Sequence, residues 1–506
     1  MGSYHAQTQV FPPMNSCLRR VLAGLLLAAL PLAALPAHAQ TPAAAAAPSP
    51  ARQVEALLRR EMQERRIPGL QVAVVQRGQL VLLRSYGLAD VANNVPVTDQ
   101  SVFAINSCTK ALTGVAVMQL VEDGKLDLEA PVARYLPGLP AAWQPVTVRQ
   151  LLTHVSGLPN ILRVLNPATG GLMGSEAAAW AQVRALPLDF APGTQFSYNQ
   201  TNYALLGRLI DTLAGRPFAQ VFAQRQFQVA GMPATGFGDS RDVIPRFAPT
   251  YRYLPRWDGH PLPTPRLAHN YAEFPAFRRT ASGLNSTAQD LARWLIALQA
   301  GRLLRTPEAL RTLWTPGRYL DGSPTQWALG WLSRPRPAHR AVLATGGGRS
   351  AFIVYPEDEL AVVVLTNLAG AYPEDFLDEL AGCYLPGIPA ADPVSWLRMQ
   401  LRQRGFEHAL AVVAAEKKRN AAFQPAEPDL NDWAYRLMSN GQLPQALRIF
   451  ELIVSLYPQS WNAYDSYGEA LARSGQKVEA RRMYQQSVAL NPNNKGGQQM
   501  LEQLSR

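Results

Sequence analysis

The feature that most restricts the fold of this chain is where its β-type segments fall. Two apolar runs near the start, Leu70–Val75 and Leu80–Ser85, are joined by a tight Arg77-Gly78 turn and read as a hairpin. Comparable patterns return only some 240 positions later, at Trp327–Leu332, Ala351–Tyr355 and Leu360–Thr366. The last two are linked by Pro356-Glu357-Asp358-Glu359, a turn composition. Between the two groups lies Ala- and Leu-rich helical sequence, beginning at Thr109 and running to about Leu136, then continuing with interruptions. An early hairpin and a late set of strands imply one antiparallel sheet with the helical part inserted, an α+β fold. A helix starting near Arg52 and ending before Ile67-Pro68-Gly69 precedes the sheet, and one from Pro373 to about Tyr384 closes it. Pro386, Pro389 and Pro393 mark a boundary.

The C-terminal part follows a different rule. Two segments align at a 34-residue offset: Leu430 with Tyr464, Ala434 with Gly468, Gly441 with Gly475, Ala446 with Ala480, Phe450 with Tyr484 and Pro458 with Pro492. Small residues let paired helices approach, glycines turn the chain and prolines end each unit. This is the tetratricopeptide period and pattern. The expected layout is a domain over 53–384, a helical connector or cap over 385–426, two repeats over 427–494 and a C-terminal helix over 495–506. Such repeats offer a protein partner or self-association surface, or a face that docks back onto the first domain.

Upstream, Arg19-Arg20, an apolar run from Val21 to Pro36 and Ala37-His38-Ala39 have the three-part layout of a secretory signal peptide. The expectation is a signal over 1–39, cleaved near Ala39/Gln40, an Ala/Pro-rich linker over 40–52 and a periplasmic or secreted mature chain. The run is short and broken by Pro31 and Pro36, so no membrane span is expected in the mature chain. At 506 residues with 47% hydrophobic and 17% charged residues, the chain has material for two or three domains. Its formal charge of +11 is spread without basic blocks, and no nucleic-acid motif accompanies it. Cys17 leaves with the signal, and the pair left, Cys108 and Cys383, can be joined in an exported chain but makes no disulfide framework. No Cys/His cluster has metal-ligand spacing, and no metal or other cofactor is implied.

The chemistry is concentrated in Phe103-Ala-Ile-Asn-Ser-Cys-Thr-Lys110. Ser107 and Lys110 stand three residues apart, one helical turn on one face. An amine there accepts the serine proton if burial lowers its pKa, because desolvation disfavours the ammonium. A helix N-terminus adds free backbone N–H groups for an oxyanion. The same spacing recurs at Ser474–Lys477 inside the second repeat, where it reads as a solvated turn.

Ser107-Cys-Thr-Lys110, Leu120-Val-Glu-Asp-Gly-Lys-Leu-Asp-Leu128, Leu151-Leu-Thr-His-Val-Ser-Gly-Leu-Pro159, Phe190-Ala-Pro-Gly-Thr-Gln-Phe-Ser-Tyr198 running into Asn202-Tyr-Ala-Leu-Leu-Gly207, and Ser282-Gly-Leu-Asn-Ser-Thr-Ala-Gln-Asp290 follow in order. Together they resemble the serine beta-lactamase and penicillin-binding family, class C enzymes and related esterases, over roughly residues 53–384. The resemblance implies an acyl-enzyme on Ser107, with Tyr198 as the second proton-transfer group beside Lys110. It places Gln200 where that family has asparagine in Tyr-x-Asn, with Asn199 or Asn202 as substitutes. It aligns Ala344-Thr345-Gly346 with a Lys-Thr-Gly or His-x-Gly strand, so the basic residue is missing while Thr345 and Gly346 remain. The Gly347 N–H becomes the second oxyanion donor beside that of Ser107. Arg349 reads either as a displaced positive charge for a substrate carboxylate or as a solvent-facing loop arginine. His154 reads as structural, and Asp290 as a helix-start carboxylate behind a Ser286-x-x-Gln289 capping pattern.

The resulting expectation is an exported serine hydrolase acting on a small-molecule ester, amide or peptide. Without a charge at 344, an esterase or a small D-amino-acid peptidase is favoured over a beta-lactamase or a D-Ala-D-Ala carboxypeptidase. A catalytically decayed scaffold acting through its repeats is the alternative of a different kind.

Overall fold

The structure of the protein, a computed structural model, describes residues 49–505. The signal segment and most of the linker lie outside the described residues. The linker's end does not: a helix already begins at Pro50 and runs to Arg65. Proline at a first helical position loses no hydrogen bond and presets φ. Among the described residues no helix is long and apolar enough to cross a membrane.

A seven-stranded antiparallel sheet follows the order Val95–Pro96, Gln79–Asp90, Gly69–Gln76, Leu360–Thr366, Ser350–Tyr355, Ala341–Gly346, Leu332–Arg334. The two ends of the domain therefore meet at the sheet centre, where Leu70 pairs with Thr366 and Gln76 with Leu360. Both central strands are almost wholly buried, which explains their continuous apolar runs. Successive side chains alternate faces. Ala73, Val75 and Val363 join the core shared with the helical part, while Val72, Val74 and Val362 join a second core under the N-terminal helix.

The strand expected at Trp327–Leu332 is a correction. Only Leu332–Arg334 is strand; the preceding residues form a compact loop with Gly330 at φ 93°. A Cβ on Gly330 would stand 2.2 Å from the Lys110 carbonyl oxygen, and Trp331 is fully buried against Trp294. The alternation of large apolar residues there reflects loop packing, not a pleat. The closing helix is also shorter than expected, a 3₁₀ turn at Pro373–Asp375 and a helix at Leu377–Gly382. Cys108 and Cys383 are both free, Cys108 buried in the first core and Cys383 packed against the second.

Beyond the sheet the chain is helical, with helices Pro393–Arg404, Ala409–Arg419, Glu427–Ser439, Leu443–Leu456, Trp461–Arg473, Lys477–Leu490 and Lys495–Leu504. The first five of these share a third apolar core. Arginines fasten this region to the sheet domain. Asp375, 3% exposed, takes Arg65 at 3.2 Å, Arg398 at 3.0 Å and Arg436 at 2.5 Å. Fully buried Glu61 takes Arg65 at 2.8 Å and Arg402 at 3.0 Å. Arg334 on the edge strand meets Asp429 at 3.0 Å. Lys477 is exposed at the start of its own helix, whereas Ser474 caps the helix before it, so that serine–lysine pair is a surface turn.

Candidate active site

Ser107 sits in a 3₁₀ turn, Asn106–Cys108, that leads directly into helix Thr109–Glu122. That helix is buried through most of its length, which its lack of a polar face requires. Asn106 is held at φ 47°, a strained value for a non-glycine residue, and this kink leaves Ser107 half-exposed at the helix entrance. Lys110, one turn on, is fully buried.

The Lys110 amine donates to Ser107 Oγ at 3.3 Å, to Gln200 Oε1 at 3.2 Å and to the Ala281 carbonyl at 2.8 Å. It also lies 4.6 Å from the centre of the Tyr198 ring and 5.1 Å from that of Tyr203. All three acceptors are uncharged. Burial, reinforced by the charge on Arg278, therefore drives its pKa well below the ordinary lysine value and favours the uncharged amine.

Tyr198 precedes helix Gln200–Ala214, whose cap, Asn199, accepts from Thr201 N–H at 2.8 Å. Capping fixes the entry of that helix, and with it the phenol on one side and the Gln200 amide on the other. The half-buried phenol lines the cleft; desolvation raises its pKa, while its neighbours Ser107 and Gln200 and the charge on Arg278 work the other way. Gln200 thus reaches the amine despite its longer arm. Asn202 instead accepts from Ser156 Oγ at 2.7 Å, away from the amine.

His154 does not reach Ser107. Its Nδ1 accepts from the Asn199 backbone at 3.1 Å and its ring packs 4.5 Å from that of Tyr198. Burial holds its pKa well below the usual value, so it stays neutral and props up the tyrosine. Asp290 opens helix Ala288–Gln299 and accepts from Ala234 N–H at 2.8 Å and Thr235 Oγ1 at 2.9 Å. The cap of that helix is Thr287, not Ser286, because it is the Thr287 hydroxyl that accepts from Asp290 N–H.

The far wall is strand Ala341–Gly346 and the turn after it. Ala344 is buried in the core and brings no charge, whereas Thr345 is half-exposed and lines the cleft with Tyr198. A Cβ on Gly346 would stand 2.0 Å from the Ile105 carbonyl, so only glycine lets this strand press against the serine turn. Gly347 and Gly348 both have positive φ, 59° and 61°. Gly347 is exposed, and among the described residues nothing accepts from its N–H. Arg349 faces neither solvent nor cleft. It is 5% exposed beneath the turn, its Nε 3.3 Å from where a Gly347 Cβ would be, with no carboxylate partner among the described residues. Burial lowers its pKa to about 10.

Sequence reasoning missed three contributors. Ser282 Oγ lies 3.4 Å from Ser107 Oγ, and the Ala281 carbonyl holds the amine. Their segment was legible as a landmark, but nothing in it announces contact with Ser107. Arg278, 8% exposed, donates to the Gly170 carbonyl at 2.9 Å and stacks 5.0 Å from Phe274. Its pKa falls to about 10 through burial. No sequence signal separates it from its neighbour Arg279, which pairs with Asp242 at 2.8 Å.

Residues 54–381 match the family model described as beta-lactamase. Among curated relatives, Protein flp of Staphylococcus aureus (strain MW2) is 24% identical over 351 residues, 65% of this chain and 65% of that protein. The chain therefore spans just under two thirds of that relative. Esterase EstB of Burkholderia gladioli is 28% identical over 364 residues, 64% of this chain and 92% of the esterase. Among solved structures, the D-amino acid amidase of Ochrobactrum anthropi SV3 in complex with L-phenylalanine superposes with a TM-score of 0.56 at 25% identity, covering 67% of this chain and 98% of the amidase. The octameric penicillin-binding protein homologue of Pyrococcus abyssi gives 0.58 at 24%, covering 70% and 81%, a likeness of fold.

Proposed function

This chain belongs to the beta-lactamase family of serine hydrolases, and we propose that it hydrolyses an ester or amide through an acyl-enzyme on Ser107. The observation that carries the reading is the fully buried amine of Lys110, 3.3 Å from Ser107 Oγ and, among the described residues, without any carboxylate partner. In the proposed cycle Ser107 attacks the carbonyl and its proton passes to Lys110. Tyr198, whose ring lies 4.6 Å from that amine, relays the proton to the departing alcohol or amine. The N–H groups of Ser107 and Gly347 hold the oxyanion. Water then attacks the acyl-enzyme, gives a proton to the same base and releases the acid, and Ser107 recovers its hydrogen.

The substrate reading favours esters and small D-amino-acid amides or peptides. Ala344 leaves the strand without a cation to receive a carboxylate, which penicillins and D-Ala-D-Ala peptides carry. An esterase at 28% identity and a D-amino acid amidase at 25% lean the same way. We also read the C-terminal helices as tetratricopeptide-type repeats, on the 34-residue correspondence, and the chain as exported, on its N-terminal pattern. The test is a panel of short-chain aryl esters, D-amino-acid amides and cephalosporins, each with wild type and Ser107→Ala. Ser107-dependent turnover of esters or amides supports the reading. Faster turnover of cephalosporins would make the chain a beta-lactamase, and no turnover of any class would make it a scaffold.

A further inference from the structure

The cleft that Tyr198 and Thr345 line is not closed by the sheet domain alone. It begins at Tyr198, Trp327 and Thr345 and extends through about 820 Å³ to residues of the C-terminal helical region, among them Gln424, Asp429 and Asp432. That is the size of a pocket for a ligand well beyond a short acyl group. The far end has an uneven charge. Each arginine along it is engaged: Arg334 with Asp429 at 3.0 Å, Arg336 with Asp378 at 2.9 Å, and Arg436 with Asp375 at 2.5 Å. Two carboxylates are not matched in the same way. Glu374, whose side chain is 8% exposed, lines the cleft with its Oε2 unpartnered, its other oxygen 3.5 Å from Arg436. Asp432, with a side chain 70% exposed, has only a 4.0 Å approach to the same arginine. A buried carboxylate without a donor is expensive, and a ligand ammonium relieves it.

Resting on the acyl-transfer reading, we propose that helix Glu427–Ser439 is the outer wall of the substrate site and selects an elongated acyl donor carrying a protonated amine, held by Asp432 and Glu374. The C-terminal helices then act as part of the enzyme's specificity, not only as a surface for other proteins.

Two matched pairs of aryl esters test this with the full chain. In one, the acyl part is an ω-amino acid or the straight alkanoic acid of equal length. In the other, an acetate is carried by an aminoalkyl phenol or the alkyl phenol of equal length. The amine member of at least one pair should show a kcat/KM higher by roughly fivefold, the scale of one partly screened ion pair. Asp432→Lys, at an exposed position that folding tolerates, should reverse the preference. Equal rates within both pairs, or a preference that survives Asp432→Lys, overturns the proposal while leaving Ser107 chemistry intact. Hydrolysis of no ester, or hydrolysis undiminished in Ser107→Ala, overturns the acyl-transfer reading and this inference with it.

Discussion

Lys110 Nζ and Ser107 Oγ lie 3.3 Å apart, and the other acceptors around that amine, Gln200 Oε1 and the Ala281 carbonyl, are neutral. A lysine placed this way cannot stabilise the serine as a salt-bridged ammonium would. In the proposed cycle its value lies in the uncharged form, which the surrounding burial favours.

The activity should therefore rise with pH as Lys110 loses its proton, with an apparent pKa well below that of a free lysine. Arg278 contributes to that depression through its charge. Arg278→Met should raise the amine's pKa and move the acid limb of kcat/KM to higher pH. A limb that stays in place, or moves down, would remove Arg278 from the electrostatics of the site.

Gln200 occupies a position where a charge would be harmful. Gln200→Glu would set a carboxylate at about the 3.2 Å now spanned by the amide oxygen, and an opposite charge favours the ammonium. The expected result is a loss of roughly 10²-fold in kcat at neutral pH, the scale of one general-base contribution, with partial recovery at high pH. A loss independent of pH would mean that the amide serves only packing.

Arg349 lies beneath the Gly347 turn and does not line the cleft, so in the proposed cycle its charge would reach the oxyanion only through that turn. Arg349→Met should lower kcat severalfold for neutral and acidic substrates alike. A loss confined to acidic substrates would place the guanidinium on the substrate carboxylate.

Asp375 ties both ends of the chain together. Burial alone would raise its pKa, but Arg398, Arg436 and Arg65 hold it far below the carboxylate range. The stability it supplies is present above the unfolded carboxyl pKa of about 3.9 and is lost as pH falls through and below that value. Asp375→Asn should destabilise the protein by about 3 kcal/mol at neutral pH, as loss of a buried ion partner does, and flatten the acid side of the stability profile in urea titrations. Unchanged stability would mean that the helical region is held by its apolar contacts alone.

Much of this was legible in the chain. Leu360–Thr366 is a strand over the residues its apolar run marks, because a strand buried on both faces has no polar alternation to blur its limits. Trp327–Leu332 misled because Trp and Leu pack equally well from a loop, and the deciding feature is Gly330 meeting the Lys110 carbonyl from far away in sequence. The hairpin Tyr251–Trp257/His260–His269 was invisible, since Pro255, Pro261, Pro263 and Pro265 break the usual strand signature. Ser107 and Lys110 could be read from spacing and context. Ser282 and Arg278 could not, because their approach to the site depends on the tertiary placement of helix Arg279–Ser282.

The most direct test of the account is the intact mass of the protein after brief exposure to a fluorophosphonate or a slowly released acyl donor, followed by peptide mapping. The account predicts a single adduct on Ser107, formed faster as pH rises through the lysine's depressed pKa and absent from Ser107→Ala. An adduct on another residue, or a Ser107 that stays unmodified while substrate is still consumed, would contradict it.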